Sequence, residues 1–120
     1  MQTASRYQRT TDLPRLMAVW PKELGEDLPT RARLLDIMKR ALREERRLGL
    51  AGHFSYSLPR HRALYAAYRE EVTTAAALAA EVIAVVGSEK LDWRVTIERH
   101  HAALIPPKDL AARVLEAHAT

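Results

Sequence analysis

Six cations recur along one stretch of the chain at the spacing of a helical face: Arg33, Lys39, Arg40, Arg43, Arg46 and Arg47. Side chains three, four and seven positions apart project the same way from a helix. That pitch suits a row of phosphate oxygens along a groove wall, where Arg and Lys supply much of the affinity for nucleic acid. Arg60 and Arg62 follow, with His53, His61 and Arg69, and no acid lies between Leu48 and Arg69. The candidate nucleic-acid-binding set is therefore Arg33, Lys39, Arg40, Arg43, Arg46, Arg47, Arg60 and Arg62. The pattern is unspecific. It contains no helix-turn-helix turn, no zinc-finger spacing and no aromatic-rich RNA motif. Asn is absent and Gln occurs only at Gln2 and Gln8, so the residues best suited to adenine edges are missing from the presumed contact helix. Backbone contact, or guanine reading by arginine, is the form of recognition expected, with DNA favoured over RNA. The competing reading is a solvated helix face. Fifteen Arg against four Lys, beside twenty Ala, is also what a GC-rich genome produces without any ligand.

Carboxylates form a second candidate set. Glu45 and Glu71 fall within the apolar stripes of their helices, and Glu98-Arg99-His100-His101 contains a Glu-x-x-His step. A di-metal helical bundle needs glutamates from facing helices plus two such steps. Only one is present, and Glu98 lies off the Trp93–Ile97–Leu104 stripe, so no metal site is expected. Glu45 is expected near a helix end, and Glu71 is expected to have a basic partner within hydrogen-bond reach. The histidines His53, His61, His100, His101 and His118 have no catalytic partners at recognisable spacing, and His100–His101 reads as a surface pair. His61, near a helix N-terminus, could meet an anionic partner. Tyr7 could stack on a base or enter a partner's groove.

Several chemistries are unsupported. The chain has no cysteine, which removes disulfides, thiolate metal sites and thiol catalysis. It has no Gly-x-Ser-x-Gly turn and no phosphate-binding glycine loop. Neither catalysis nor a cofactor is expected. The most apolar stretch, Val72–Val86, contains Glu81 and falls short of the ~20 residues a membrane span needs. Without a secretory signal in the opening residues, a cytoplasmic location is expected.

These groups need elements to position them. The 120 residues suffice for one domain with a modest core, and sixteen Leu beside twenty Ala favour helix. Residues 1–11, with Arg6, Tyr7 and Arg9, read as a flexible basic arm. Asp12 can cap a short helix over Leu13–Trp20, with Trp20 in the core and Pro21 ending it; Lys22–Pro29 reads as a loop. Thr30 can cap a helix from Arg31 to about Leu48, stopped by Gly49. Leu34, Leu35, Met38, Ala41, Leu42 and Leu48 form its apolar side. Asp36 is placed to pair with Arg40, and Arg40 with Glu44. A long helix over Arg60–Val86, ended by Gly87, carries Leu64, Tyr68, Ala75, Leu78, Ala79, Val82 and Val86, and its C-terminal half is expected to be surrounded.

Two segments are ambiguous. Phe54, Tyr56 and Leu58 alternate with polar residues, as do Leu91, Trp93, Val95 and Ile97, so 53–58 and 91–97 could form a minor two-stranded β element. Trp93, Ile97 and Leu104 also fit one helical face, and a helix from Ser88 to Ile105 is favoured. A last helix is expected over Lys108–His118. The predicted fold is a mainly α single domain over 12–120, with four or five helices around an antiparallel pair.

The charge is lopsided. Residues 1–69 hold fourteen Lys/Arg against seven Asp/Glu, a balance of +7, whereas residues 70–120 hold five against eight, a balance of −3. A fixed basic face attracts polyanions or acidic surfaces. The leading expectation is a small nucleic-acid-binding or transcription-associated protein that contacts the phosphate backbone through its basic helix face. The alternative is a helical adaptor that docks on an acidic protein surface or self-associates, as a homodimer for example, through its own acidic C-terminal third. No membrane partner is expected.

Overall fold

The structure, a computed structural model, describes residues 6–87 and 91–104. Four helices are described: α1 (Arg9–Leu16), α2 (Leu28–Leu50), α3 (Leu58–Val86) and α4 (Asp92–Leu104), with a 3₁₀ turn at Pro21–Leu24. No strand occurs among the described residues, so the β element expected near 53–58 and 91–97 is not formed. Residues 53–57 turn the chain, with the Tyr56 N–H donating to the His53 carbonyl, and Trp93 to Ile97 lie within α4. The helical period wins there because Trp93, Ile97 and Leu104 all reach the core from one face. The expected helix over Lys108–His118 and the Ser88 cap lie outside the described residues.

Helices α2 and α3 form an antiparallel pair. Glu45 meets Arg60, Lys39 lies over the Tyr68 ring and Arg31 approaches Glu71, so numbers fall along one helix as they rise along the other. Leu34, Leu35, Met38 and Leu42 pack against Leu64, Ala67, Tyr68, Val72, Ala75 and Ala79, with Leu13 and Ile97 closing the cluster from α1 and α4. The apolar positions follow the helical repeat in both helices, and burial of these side chains is the main force joining them. At 29 residues α3 outruns the 23 of α2. In the register of those contacts, α2 begins opposite the middle of α3. The last turns of α3 therefore overhang, and Val85 is 84% exposed rather than surrounded as expected.

The helix ends differ from the sequence reading. Asp27, not Thr30, caps α2: its carboxylate accepts from the Thr30 N–H at 3.1 Å and the Thr30 hydroxyl at 2.8 Å. Those bonds, the hydroxyl first, hold the Asp27 carboxyl below its usual range. Gly49 does not stop the helix, which runs on to Leu50. A Cβ at Gly49 would stand 2.9 Å from the Tyr56 ring, so glycine is there to admit the tyrosine. Gly52, at φ 64°, takes the left-handed conformation that reverses the chain. Ser57 caps α3 by accepting from the Arg60 N–H, and Gly87 follows its end as expected.

The N-terminus departs most from expectation. Of the arm expected over 1–11, residues 1–5 lie outside the described residues, whereas α1 already begins at Arg9. Asp12 reaches back to accept from the Gln8 N–H at 2.7 Å. Trp20 is 70% exposed instead of buried, because α1 ends at Leu16 and the extended segment after it turns the indole outward.

Candidate functional site

Arg9 and Tyr7 do not reach for a ligand. Glu71, on α3 and 3% exposed, accepts from the Tyr7 hydroxyl at 2.7 Å and from Arg9 Nε at 2.9 and 3.1 Å. Arg31 Nη1 lies 3.7 Å away. Arg9 also donates to the carbonyls of Leu24 and Gly25, which ties α1 to the connection before α2. Glu71 thus has the basic partner expected of it. Burial, then the bond to Glu71, pushes the Tyr7 phenol far up. A buried carboxylate with two guanidinium partners and a phenol is fully satisfied, and it leaves no open ligand position.

The eight residues of the candidate set divide in three. Arg47 and Arg60 are neutralised internally. Arg47 holds both oxygens of Glu44 at 2.7 and 2.8 Å, and Arg60 holds Glu45 at 2.9 and 3.0 Å. Arg47 meets the Glu44 carboxylate as a two-pronged fork, so Glu44 pairs three residues onward rather than with the expected Arg40. Lys39 is half-buried, its ammonium 5.5 Å above the centre of the Tyr68 ring. Arg33, Arg40, Arg43, Arg46 and Arg62 are exposed and form no ion pair with a described residue; Arg33 makes a 3.3 Å bond to the Thr30 hydroxyl.

Tertiary packing adds cations outside the expected set. The C-terminal half of α4 lies beside α2 and brings Arg99 and His100 to Asp36. Asp36 therefore pairs with Arg99 at 3.0 Å and His100 at 2.8 Å, not with Arg40 as expected. The result is an open groove of about 480 Å³ lined by Asp36, Lys39, Arg40, Arg43, Arg99 and His100, with Tyr68 at its base. His100 is only 5% exposed, so it is not the surface residue expected. The Asp36 carboxylate can only accept, so Nε2 donates to it at 2.8 Å, and in the neutral ring Nδ1 is left to accept from the Tyr68 hydroxyl 2.5 Å away. Burial raises the Tyr68 phenol above its ordinary value of 10.0. The Tyr68–His100–Asp36 chain positions the Asp36 carboxylate and, through it, Arg99.

A sequence signal for this groove exists in part. The Glu98-to-His101 stretch has the spacing of a metal-ligand step, but the residues that matter there are Arg99 and His100. Glu98 is exposed and bonded to Arg94 at 2.9 Å. Among the described residues no three His, Cys, Asp or Glu lie together as a metal site would require. His61, expected to meet an anion, instead bonds the Tyr56 hydroxyl at 2.8 Å. A larger groove of about 850 Å³ between α1 and α3 is lined by Arg6, Arg15 and Arg69 but also by Asp12 and Glu70, so its charge is mixed. No described helix is long and apolar enough to cross a membrane. Compared with known proteins, the chain matches no family model, no curated protein and no solved structure.

Proposed function

We propose that the protein binds nucleic acid through its phosphate backbone, with Lys39, Arg40, Arg43 and Arg99 as the central contacts and Arg33, Arg46 and Arg62 extending the track. One observation carries this reading: four cations from two helices converge on one open groove where Asp36, the only carboxylate lining it among the described residues, is already shared between Arg99 and His100. The exposed flank of α2 from Arg33 to Arg46 spans thirteen residues, about 20 Å of helix, which matches roughly six base pairs of duplex. Phosphate contact positions a protein without reading bases. The proposal extends to a regulatory or transcription-associated role, for which backbone contact of this kind supplies the affinity but no sequence reading. Fluorescence anisotropy with duplex DNA at two salt concentrations tests it. The unaltered protein binds more weakly at the higher salt, and Arg40→Glu with Arg43→Glu abolishes binding. Unchanged affinity in that double variant removes the groove from the site.

A second reading is a helical adaptor that self-associates or docks on an acidic protein surface. It is favoured by the overhanging end of α3, where Val85 and Val86 are exposed. It predicts a dimer in light scattering that Val85→Glu dissociates, with no shift of DNA or RNA in a gel.

A further inference from the structure

The turn between α2 and α3 carries an aromatic surface that the core does not use. Phe54 is 94% exposed, and its ring stacks on His53 at a centroid distance of 4.6 Å and an interplanar angle of 25°. The pair is held in place from below. His53 Nδ1 accepts from the Ser55 N–H at 3.2 Å and lies 2.8 Å from the Ser55 hydroxyl. The Ser55 carbonyl accepts from Arg60, which is itself bound to Glu45. Tyr56 seats against Gly49 and bonds His61, which fixes the turn to both helices. The exposed ring is therefore preorganised, and a ligand that stacks on it pays little further ordering entropy.

The surroundings select the ligand. From Arg46 to Arg69 the chain has five arginines, of which Arg47 and Arg60 are paired with Glu44 and Glu45. Arg46 and Arg62 are exposed and form no ion pair with a described residue. Arg43 lies seven residues before Leu50, about 10 Å along α2, so the basic flank leads to the turn. An aromatic face at the end of a cationic track is the arrangement that binds single-stranded nucleic acid, with phosphates on the cations and bases on the ring. In a duplex the base faces are covered by their neighbours and are not offered for stacking.

Resting on the nucleic-acid reading above, we infer that the stacked His53–Phe54 pair is a platform for an unpaired base, so that the ligand is single-stranded nucleic acid, or a duplex with an unpaired end, tracked by Arg40, Arg43 and Arg46. The test uses the full chain with a short single-stranded oligonucleotide carrying one 2-aminopurine, and with a blunt duplex of the same length. Binding of the single strand quenches the 2-aminopurine. Phe54→Ala removes the quench and weakens single-strand binding by about tenfold or more, while duplex affinity stays within twofold. Phe54→Trp restores both single-strand signals. Circular dichroism of each variant matches the parent, because the ring is outside the core. Equal single-strand affinity and quench in Phe54→Ala overturn the platform but leave the groove reading standing. An equal loss for both oligonucleotides also overturns it, since a stacking site would discriminate. If the unaltered protein binds neither oligonucleotide, both readings fall. Phe54-dependent retention on phosphatidylserine vesicles, with oligonucleotide binding unchanged, reassigns the turn to a lipid surface and overturns the platform.

Discussion

Glu71 and Asp36 each gather basic side chains, with opposite results. Around Glu71, Arg9, Arg31 and Tyr7 converge from the chain's first described residues and from α2, and the cluster is closed. Around Asp36, Arg99 and His100 arrive from α4, but Lys39, Arg40 and Arg43 line the same groove without a carboxylate of their own among the described residues. The first cluster joins elements; the second leaves positive charge facing solvent. Both are rich in arginine, so composition alone cannot tell them apart. What separates them is depth: a buried guanidinium must be paired, whereas an exposed one can stay free at little cost.

The largest expected effect follows from that contrast. Glu71→Ala leaves the largely buried Arg9 without its carboxylate and Arg31 with only the exposed Glu26 at 3.8 Å, and should cost about 3–5 kcal/mol in urea unfolding. A loss below about 1 kcal/mol would mean the cluster is wetter than its burial suggests. Asp36→Ala should be milder, about 1–3 kcal/mol, as the buried His100 loses its acceptor. It also removes the groove's carboxylate, so affinity for an oligonucleotide should rise while stability falls; a fall in both would make Asp36 an organiser of the contact cations rather than their competitor.

Arg40→Gln with Arg43→Gln should leave stability within about 0.5 kcal/mol, because neither side chain packs in the core. Its effect should be read in the salt dependence of duplex binding, whose logarithmic slope should shrink by about 0.9 for each phosphate that the variant no longer neutralises. An unchanged slope would place the contacts elsewhere on the surface.

The smallest effects concern pH. Tyr7 and Tyr68 hold their protons more tightly in the fold than a free phenol with its value of 10.0. Above about pH 10 the unfolded chain binds fewer protons than the native one, so stability falls as pH rises. Tyr68→Phe should flatten part of that alkaline slope. At the other end, hydrogen bonds hold the Asp27 and Glu44 carboxyls below their ordinary values. Their contribution is present above the ordinary carboxylate range and is lost as pH falls through the folded values. Thermal melts across both limbs read these slopes; a flat alkaline limb would mean the phenols titrate freely.

Much of the fold was legible. The period of Leu34, Leu35, Met38 and Leu42, and that of Leu64, Tyr68, Ala75 and Ala79, marked the inner faces of the central pair. Gly87 marked a helix end. The errors fell where a residue's role depends on a distant partner. Gly49 resembled a stop signal because nothing nearby shows that the Tyr56 ring needs its space. Arg9 resembled an arm residue because its acceptors are Glu71 and the carbonyls of Leu24 and Gly25.

The candidate site followed the same rule. The periodic row Arg33, Arg40, Arg43 and Arg46 is a local property, since the helical repeat alone sets which side chains share a face. Sequence by itself therefore determined the helical class, the inner stripes except at the exposed Val86, and the existence of a basic flank. Only tertiary structure decided which cations remain unpaired, because ion pairing across helices depends on register. The docking of α4 gave Asp36 to Arg99 and His100 rather than to Arg40, and the turn at Gly52 brought Arg60 to Glu45 while leaving Phe54 in solvent.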